Sequence, residues 1–349
     1  MILTVFYYFC SMRTQKKWQI WIDTGGTFTD CIAVDPQGNR TMTKVLSSGR
    51  LRGRLLEGLG GRRYRLDENW RMAGGDLFAG YVLHPLGARA AIAVVEAFDR
   101  TAGLLVLDRS LALDGPLDVE LSAGEEAPVL AARLITGTPL DQPLPPLDMR
   151  LGSTRGTNAL LERKGAPVAF LVTKGFGDLI AIGTQQRPQL FQLNIPAPVC
   201  LYRRVWEVDE RLSAEGEVLQ PLTEKAAAQI ARQVRQAGFT SVAVALLHAY
   251  RNPVHERRLA EALRQEGIAY RSLSHVLTPS IKLLPRAQTA LVNAYLAPVI
   301  DDYLSHISAP IAQGGAALRV MTSAGGLVAA DRYRPKDSLL SGPAGGVVG

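Results

Sequence analysis

The stretch Asp23-Thr-Gly-Gly-Thr-Phe-Thr-Asp30 places two adjacent glycines between hydroxyl and carboxylate side chains. Adjacent glycines let a backbone bend sharply and turn several N–H groups towards one point, which suits a phosphate group. Thr27 and Thr29 add hydroxyl donors, and Asp23 follows an apolar run, where a carboxylate can hold a hydrated Mg²⁺. The alternative is a tight hairpin with polar turn residues. The pattern favours a phosphate site with a magnesium ligand.

A second candidate, Gly152-Ser-Thr-Arg-Gly-Thr-Asn158, opens a predicted helix. Free N–H groups at the start of a helix bind anions, and the three hydroxyls of this segment reinforce them. Arg155 offers a guanidinium for a carboxylate or a phosphate. The alternative is a capped helix in which Thr157 or Asn158 satisfies only backbone donors. The residues alone leave both interpretations open.

Residues 341–346, Ser-Gly-Pro-Ala-Gly-Gly, form a third glycine-rich segment able to approach a nucleotide closely, although the residues alone favour a structural turn. The sequence has no Gly-Lys-Ser/Thr and no G-x-G-x-x-G after the first predicted strand, so neither a P-loop nor a dinucleotide-binding fold is indicated. His248, His255, Glu256 and His275 are candidate acid–base groups, and we interpret each as a helix-end, capping or core-edge residue.

Composition limits the class of protein. Of the 349 residues, 47% are hydrophobic and 20% charged, as in an ordinary globular protein, and no apolar run reaches the ~18–20 residues that span a bilayer. Cys10, Cys31 and Cys200 lie far apart, which argues against a disulfide framework or thiolate zinc site and indicates a reducing, cytoplasmic location. Residues 1–17 have their basic residues after the apolar stretch, unlike a secretory signal, and are predicted to be a disordered extension.

The net charge is +7, and seven arginines crowd residues 50–71. Such a run occurs in proteins that bind nucleic acid or an acidic partner. Only Tyr64 and Trp70 are interleaved as aromatic residues, and no nucleic-acid-binding motif surrounds the run. We therefore interpret it as a solvated or protein-contact face and expect neither nucleic acid nor a membrane as a partner.

The elements that position these residues follow from the apolar pattern. Strands at 18–23, 31–35 and 40–46, joined by tight turns, predict an antiparallel meander. Residues 53–148 lack lysine, have short apolar runs (129–135 among them) and predict an inserted all-β module that ends in a proline-rich linker at 139–146. From residue 149 the pattern is α/β. It predicts strands at 168–173, 241–247 and 318–322 and helices at 157–164, 223–237, 253–265 and 288–306, the last kinked or interrupted at Pro298.

Eight segments together resemble the hydantoinase A and ATP-dependent 5-oxoprolinase family, in family order along most of the chain. They are Asp23-Thr-Gly-Gly-Thr-Phe-Thr-Asp30, Gly152-Ser-Thr-Arg-Gly-Thr-Asn-Ala-Leu-Leu-Glu-Arg-Lys-Gly165, Val172-Thr-Lys-Gly-Phe-Gly-Asp178, Ile182-Gly-Thr-Gln-Gln-Arg-Pro188, Val208-Asp-Glu-Arg211, Asn252-Pro-Val-His-Glu256, Asn293-Ala-Tyr-Leu-Ala-Pro298 and Leu340-Ser-Gly-Pro-Ala-Gly-Gly-Val-Val-Gly349. Residues 281–286, Ile-Lys-Leu-Leu-Pro-Arg, are more similar to the 5-oxoprolinase branch than to the hydantoinase or acetone carboxylase branches.

The resemblance implies an α/β fold, an actin-like ATPase (ribonuclease H-like) lobe with an inserted small all-β module. Residues 18–52 are then the first part of the lobe with its phosphate hairpin. Residues 53–148 are the insertion, which is longer than the family's usual connection. Residues 149–349 are the remainder of the hydantoinase A-like lobe, ending at the start of a second lobe.

The resemblance also implies ATP and Mg²⁺ as cofactors and a cyclic amide, most closely 5-oxo-L-proline, as the substrate that is phosphorylated on its lactam oxygen. The implied catalytic residues are Asp23, Thr27 and Asp30, with Asp23 holding Mg²⁺ through water. The implied nucleotide and phosphate ligands are Thr24, Gly25, Gly26, Thr27, Thr29, Gly342, Gly345 and Gly346. Thr154, Arg155, Thr157 and Asn158 are candidate contacts to substrate or phosphate. A hydantoinase B-like subunit or a fused second half is the implied partner for ring opening, in a homo- or hetero-oligomer.

Two alternatives stay open. One is an ATP-dependent hydantoinase or ketone carboxylase subunit on the same scaffold. The other is a truncated, non-catalytic fragment, because the family carries a second Asp-x-Gly-Gly-Thr hairpin beyond the last residue of this chain. For the same reason we expect the isolated chain to be nearly inactive.

Overall fold

The computed structural model describes residues 17–70, 77–185, 191, 198–312 and 315–341. These residues form two compact units. The first unit comprises the described residues within Met1–Asn158, Asp302–Tyr333 and Asp337–Gly349. The second comprises those within Ala159–Asp301 and Arg334–Lys336. In the described ranges no helix is long and apolar enough to cross a membrane. The extension predicted at residues 1–17 lies outside the described residues, apart from Lys17.

Strands and helices alternate along the described chain. The strands are β1 (Trp18–Thr24), β2 (Phe28–Val34), β3 (Arg40–Leu46), β4 (Arg50–Gly58), β5 (Arg63–Asp67), β6 (Val82–Pro85), β7 (Ala93–Asp99), β8 (Leu104–Leu107), β9 (Leu117–Ser122), β10 (Leu147–Ser153), β11 (Val168–Thr173), β12 (Tyr202–Val208), β13 (Arg211–Leu212), β14 (Val218–Gln220), β15 (Ser241–Ala245), β16 (Tyr270–Leu273), β17 (Ala317–Met321) and β18 (Leu327–Ala329). The helices are α1 (Ala127–Thr136), α2 (Arg155–Leu161), α3 (Leu179–Ile182), α4 (Glu224–Gln236), α5 (Val254–Gln265), α6 (Ser274–Leu277) and α7 (Leu283–Ala312).

The first unit is built on a six-stranded mixed sheet in the order β18-β17-β10-β1-β2-β3. Strands β1, β2 and β3 form the antiparallel meander that the sequence predicts. Strand β1 also pairs in parallel with β10, and β10 with β17. Ile20, Trp21 and Ile22 of β1 are all buried, and because successive side chains of a strand point to opposite faces, both faces of β1 are covered. The glycine-rich turn follows directly after the carboxyl end of β1.

A closed barrel lies between β3 and β10 in the chain, with the strand order β4-β5-β8-β7-β6-β9. Aromatic rings pack together in the same segment of the chain: the ring centroid of Phe78 lies 5.0 Å from that of Trp70, 5.2 Å from Tyr81 and 5.7 Å from Phe98. Closure pairs every strand on both sides, so no strand edge is left open. The all-β module predicted at 53–148 corresponds to barrel strands that begin at residue 50 and end at residue 122.

The apolar run at 129–135, predicted as a strand of that module, is helix α1, so this prediction was wrong. Every residue from 127 to 135 is buried. A run that is buried on all sides and has Arg133 as its single polar residue does not reveal its period, so strand and helix cannot be told apart from the pattern. A proline in the first turn and Gly137, which ends the helix at φ 69° with its N–H on the carbonyl of Arg133, are the helix signals. Helix α1 packs on the meander.

Cross-strand ion pairs take up much of the arginine-rich run. They are Arg50 and Arg52 with Glu120, Arg54 with Asp118, Arg62 with Glu96, and Arg65 with Glu57. Opposite charges on neighbouring strands stabilise a sheet modestly. The run therefore fits the predicted solvated face, and acidic residues of the barrel itself balance much of its charge.

The second unit contains a four-stranded parallel sheet in the order β12-β11-β15-β16. Strands β11 and β15 are buried along their whole length, which is why they read as continuous apolar runs. Helices α4 and α5 contribute Val234 and Leu263 to the same core as Val242 and Val244. The predictions for these four elements are confirmed to within about two residues, and Thr223 caps α4 by accepting a hydrogen bond from the N–H of Ala226 at 3.2 Å.

The helix predicted at 288–306 is longer than expected and is not interrupted. Helix α7 spans Leu283–Ala312 and continues past Pro298. A proline inside a helix removes one hydrogen bond and costs about 3 kcal/mol. The helix buries Leu296, Ile300 and Tyr303 among others, and this burial offsets the cost.

The helix predicted at 157–164 begins earlier and ends earlier, as α2. Gly165, predicted to end that helix, has a different role. A Cβ on Gly165 would lie 2.1 Å from the Cε1 atom of Tyr295. Only glycine lets the backbone approach the ring this closely, so Gly165 is required by packing in the second unit.

Candidate phosphate-binding site

Hydrogen bonds within its own backbone and to Ser47 hold the turn between β1 and β2. The N–H of Gly25 donates to the carbonyl of Phe28 at 3.0 Å, and the N–H of Ser47 donates to the carbonyl of Thr27 at 2.9 Å. The Ser47 hydroxyl donates to the carbonyl of Gly25 at 2.9 Å. Gly26 and Thr27 are exposed at the tip. The tip is thus a fixed, solvent-facing turn, as a phosphate cradle needs.

Thr24 and Thr29, two of the predicted phosphate ligands, are turned inwards. The Thr29 side chain is fully buried and its Oγ1 lies 3.0 Å from the Ser47 Oγ. The Thr24 Oγ1 accepts a hydrogen bond from the Tyr303 hydroxyl at 3.3 Å. Both hydroxyls therefore support the hairpin from within. Of the predicted hairpin ligands, Gly25, Gly26 and Thr27 are the ones with surface at the tip.

Asp23 and Asp30 face each other across β1 and β2. Burial raises the pKa of the Asp23 carboxyl above its ordinary value, Asp30 raises it further, and Lys44 lowers it. The Lys44 Nζ lies 2.7 Å from Asp30 Oδ1, so the positive charge of Lys44 acts on both Asp30 and Asp23. A divalent cation relieves the repulsion between two neighbouring carboxylates. The pair fits a hydrated Mg²⁺, and in the described chain no group of three or more His, Cys, Asp or Glu forms a denser metal cluster.

The second motif is joined directly to the first. The Thr154 N–H donates to the carbonyl of Thr24 at 2.9 Å, and the Thr154 hydroxyl approaches the same carbonyl at 3.3 Å. The Asn158 side-chain amide donates to Thr154 Oγ1 at 3.3 Å. A Cβ built on Gly26 would lie 3.4 Å from that amide nitrogen. Asn158 therefore stands beside the tip of the hairpin, where Gly26 leaves room for it.

Arg155 is fixed by two neighbours beside this junction. Its guanidinium carbon lies 5.2 Å from the ring centroid of Tyr303, and its Nη2 lies 4.0 Å from Glu126 Oε1. Burial raises the pKa of Tyr303 to about 12, so its hydroxyl keeps its proton and can donate to Thr24. Tyr303 is a functional residue that the sequence did not indicate, because nothing in an apolar helix pattern distinguishes one tyrosine that reaches a distant strand end.

The described part of the third motif, Ser341, contacts the second motif. The Ser341 hydroxyl donates to the carbonyl of Ser153 at 2.8 Å, and the Thr157 hydroxyl donates to the carbonyl of Leu339 at 2.6 Å. Thr157 thus anchors the approach to the glycine-rich turn. The predicted ligands Gly342, Gly345 and Gly346 lie outside the described residues. The described parts of all three motifs meet around the carboxyl ends of β1 and β10.

Two of the acid–base candidates, His255 and Glu256, hold elements of the second unit together. His255 Nε2 accepts from the N–H of Leu222 at 3.2 Å, which leaves its Nδ1 to donate to Glu210 at 2.6 Å. Glu256, which is completely buried, accepts from the N–H of Leu246 at 2.9 Å and lies 3.8 Å from Arg286 Nη1. Buried groups with these partners hold elements together, as expected for core-edge residues.

Comparison with solved structures shows the fold that this site belongs to. A nucleotide-free structure of acetone carboxylase is similar with a TM-score of 0.61 at 20% identity, covering 94% of this chain and 39% of that one. The crystal structure of the ATP-dependent caprolactamase from Pseudomonas jessenii is similar with a TM-score of 0.58 at 24% identity, covering 93% of this chain and 39% of that one. This chain therefore has the fold found in part of each of those larger proteins.

Sequence comparison identifies the family. Residues 19–69 and 141–267 match the hydantoinase/oxoprolinase N-terminal region, and residues 286–349 match hydantoinase/oxoprolinase. The chain belongs to the hydantoinase/oxoprolinase family. It is 38% identical over 229 residues to the 5-oxoprolinase of Saccharomyces cerevisiae, a match that covers 58% of this chain and 18% of that protein.

Proposed function

We propose that this chain supplies the ATP-dependent phosphorylating part of a cyclic-amide hydrolase, which converts 5-oxo-L-proline, ATP and water to L-glutamate, ADP and phosphate. The observation that carries the proposal is the meeting of the three motifs around one exposed glycine turn. The 38% identity to yeast 5-oxoprolinase supports the substrate. The strand order, an antiparallel meander continued by parallel β10 and β17, supports an actin-like ATPase lobe.

A five-membered lactam is a stable amide, so opening it near neutral pH requires activation. Transfer of the γ-phosphoryl group of ATP to the amide oxygen would give an imidate phosphate that water can attack. In our proposal the backbone of Gly25 and Gly26 and the Thr27 hydroxyl cradle the phosphates, while Arg155 and Asn158 contact phosphate or substrate. Mg²⁺, held through water by Asp23 with Asp30 beside it, would supply charge neutralisation at the phosphates. Catalysis by these residues is positioning and electrostatic stabilisation.

Because the chain spans 18% of its yeast relative, we propose that ring opening is performed elsewhere, by a hydantoinase B-like subunit or a fused second half in a homo- or hetero-oligomer. The free thiols of Cys31 and Cys200 support a reducing, cytoplasmic setting.

The test is release of phosphate from ATP by the chain together with the remainder of its protein, with 5-oxo-L-proline or a ketone as the second substrate. We expect turnover with 5-oxo-L-proline, its loss in Asp23→Ala, and retention in Asp35→Ala, a change of a half-buried aspartate on the neighbouring turn. Turnover that depends on a ketone instead would identify a carboxylase subunit. Wild-type turnover in Asp23→Ala would refute the magnesium role.

A further inference from the structure

A cavity of about 410 Å³ opens in the first unit between strand β3, helix α1 and the barrel. Its lining includes Asp30, Lys44, Met42, Asn69, Trp70 and Leu134. The volume falls in the range of small-molecule sites, which is about 300–1,000 Å³. Of the residues that form the cavity, Asp30 alone belongs to one of the three motifs.

The polar side of the cavity is the ion pair of Asp30 and Lys44. Their side chains are 53% and 52% exposed, and Nζ and Oδ1 are 2.7 Å apart. An ion pair this exposed contributes little to stability, so exchanging its partners for a ligand costs little. A ligand that brings an N–H to Asp30 and a carboxylate to Lys44 satisfies both charges. An N–H and a carboxylate on the same carbon are the mark of an α-amino acid or of its N-acylated form.

The apolar side of the cavity selects for a compact body. Trp70 and Leu134 are almost fully buried, and Met42 is 43% exposed at the edge strand. Such walls fit a small hydrocarbon ring better than a long flexible chain, because a rigid ring loses little conformational entropy on binding. Asn69, exposed at the mouth of the cavity, adds an amide that can bond a ligand carbonyl.

The cavity begins beside the proposed phosphate site. Asp30 is the cross-strand partner of Asp23, and its charge and that of Lys44 both affect the pKa of Asp23. Trp70 and Leu134 fall within residues 70–140, between the two segments that match the family's N-terminal region. The cavity wall is thus made partly by family residues and partly by a stretch that the family match leaves out.

The geometry points to this cavity as the binding pocket for a compact cyclic α-amido acid, with Asp30 accepting its N–H and Lys44 pairing with its carboxylate. The inference rests on the proposed function for the event that follows binding, and binding itself can be tested without ATP. The barrel then contributes substrate selection to the first unit.

The experiment titrates three ligands into the full 349-residue chain without nucleotide, by calorimetry or ligand-observed NMR. They are 5-oxo-L-proline, 2-pyrrolidinone, which lacks the carboxylate, and cyclopentanecarboxylate, which lacks the N–H. We expect 5-oxo-L-proline to bind at least about tenfold more tightly than either analogue, because each analogue leaves one of the two charges without its partner.

Two substitutions locate the binding, each with a matched control. We expect Lys44→Met to weaken the binding of 5-oxo-L-proline by about tenfold and to leave the binding of 2-pyrrolidinone unchanged. Its control, Lys174→Met, changes an exposed lysine paired with Asp209 in the second unit and should not alter the binding of either ligand. Met42→Trp fills the cavity and removes binding of all three ligands, whereas Met42→Leu, which conserves volume, keeps it. Met42 is at the surface, so the fold survives both changes.

Equal affinities in Lys44→Met and Lys174→Met would overturn the pocket, as would a wild-type chain that takes up no 5-oxo-L-proline at millimolar concentration. A parallel titration with ATP and Mg²⁺ separates the two proposals. A chain that binds the acid but not ATP supports the pocket and contradicts the phosphorylating role. A chain that binds ATP but not the acid contradicts the pocket alone.

Discussion

The replacement Asp23→Asn separates the stability of the ligand-free chain from its function. It keeps the size of the side chain and removes one of the two facing carboxylates of β1 and β2. Since burial and Asp30 raise the pKa of Asp23, the ionised carboxyl disfavours the folded state. We therefore expect the variant to be more stable than the wild type when no divalent cation is present.

The cross-strand pair sets a minimum for the magnitude, because relief of the buried carboxyl's desolvation adds to it. Like charges directly opposite each other in a sheet are destabilising by about 0.2–1 kcal/mol, and Lys44, 2.7 Å from Asp30, offsets part of that repulsion. We expect a gain of at least about 0.5 kcal/mol in the free energy of unfolding, which is about 0.7 °C in Tm for a chain of 349 residues.

The pH dependence fixes the sign. An acid whose pKa is raised on folding carries no penalty below its unfolded pKa, near the ordinary value of 3.8, and the full penalty above its folded pKa. The advantage of Asp23→Asn is therefore largest at neutral pH and disappears as the pH falls towards 3.8. Asp35 is the matched control, since a hydrogen bond from the Asn39 side chain and backbone N–H groups lower its pKa. Asp35→Asn should lose stability at neutral pH and regain parity in acid.

The assay is urea unfolding of the three chains with a chelator, at neutral pH and at about pH 4. Addition of ATP and Mg²⁺ should reverse the order, because ligand binding stabilises only the chain that retains Asp23. A wild type more stable than Asp23→Asn in chelator, or a difference that does not change with pH, would refute the argument from the paired carboxylates.

Three further changes have definite expected outcomes in urea unfolding. Ser47→Ala removes the hydroxyl that supports the hairpin and leaves a buried threonine hydroxyl without its partner, so we expect a loss of about 1–3 kcal/mol. Gly165→Ala forces a methyl group against the Tyr295 ring and should cost about 3 kcal/mol. Arg286→Met removes a fully buried guanidinium that lies 3.8 Å from the Glu256 carboxylate, while the hydrogen bonds of Glu256 to Leu246, Ser274 and His275 remain. The variant should cost about 3–5 kcal/mol, much of it recovered in the double variant with Glu256→Gln.

Controls for these three changes come from the same chain. Ser48→Ala alters the exposed neighbour of Ser47, and Gly58→Ala adds a methyl group 3.7 Å from the nearest ring atom, an ordinary contact. Arg235→Met removes an exposed arginine paired with Glu266. Each control should stay within about 0.5 kcal/mol of the wild type. Equal losses in a variant and its control would show that the contact named for that variant is unimportant.

Local patterns predicted the elements whose signals are themselves local. The meander is visible because its turns are short and its strands alternate, and α4 is visible because Thr223 and Gly238 mark its ends. Helix α1 was misread because a run buried on every side shows no period. Helix α7 is not interrupted at Pro298 as predicted, because the cost of a proline is local, whereas the burial that offsets it comes from tertiary packing.

The candidate site shows the same limit. The glycines and the carboxylates of the hairpin could be recognised from residue type and spacing alone. The inward direction of the Thr29 hydroxyl could not, because Ser47, its partner, lies beyond two strands. Nor could the roles of Tyr303 and the Asp30–Lys44 cavity be read from the sequence, since each depends on which distant residues the fold brings together.

The barrel begins and ends at the same point in space. Arg50, where it starts, and Ser122, where it ends, are paired residues of β4 and β9, and Cα atoms of such pairs are about 4.5–5.5 Å apart. To the six-stranded sheet, more than seventy residues thus amount to a loop whose two ends are already joined. Because the entropy of closing a loop grows only slowly with its length, relatives can lengthen, shorten or exchange this segment at little cost to the sheet. A change of substrate range could then evolve by replacement of one self-contained insert, with the phosphate hairpin left untouched.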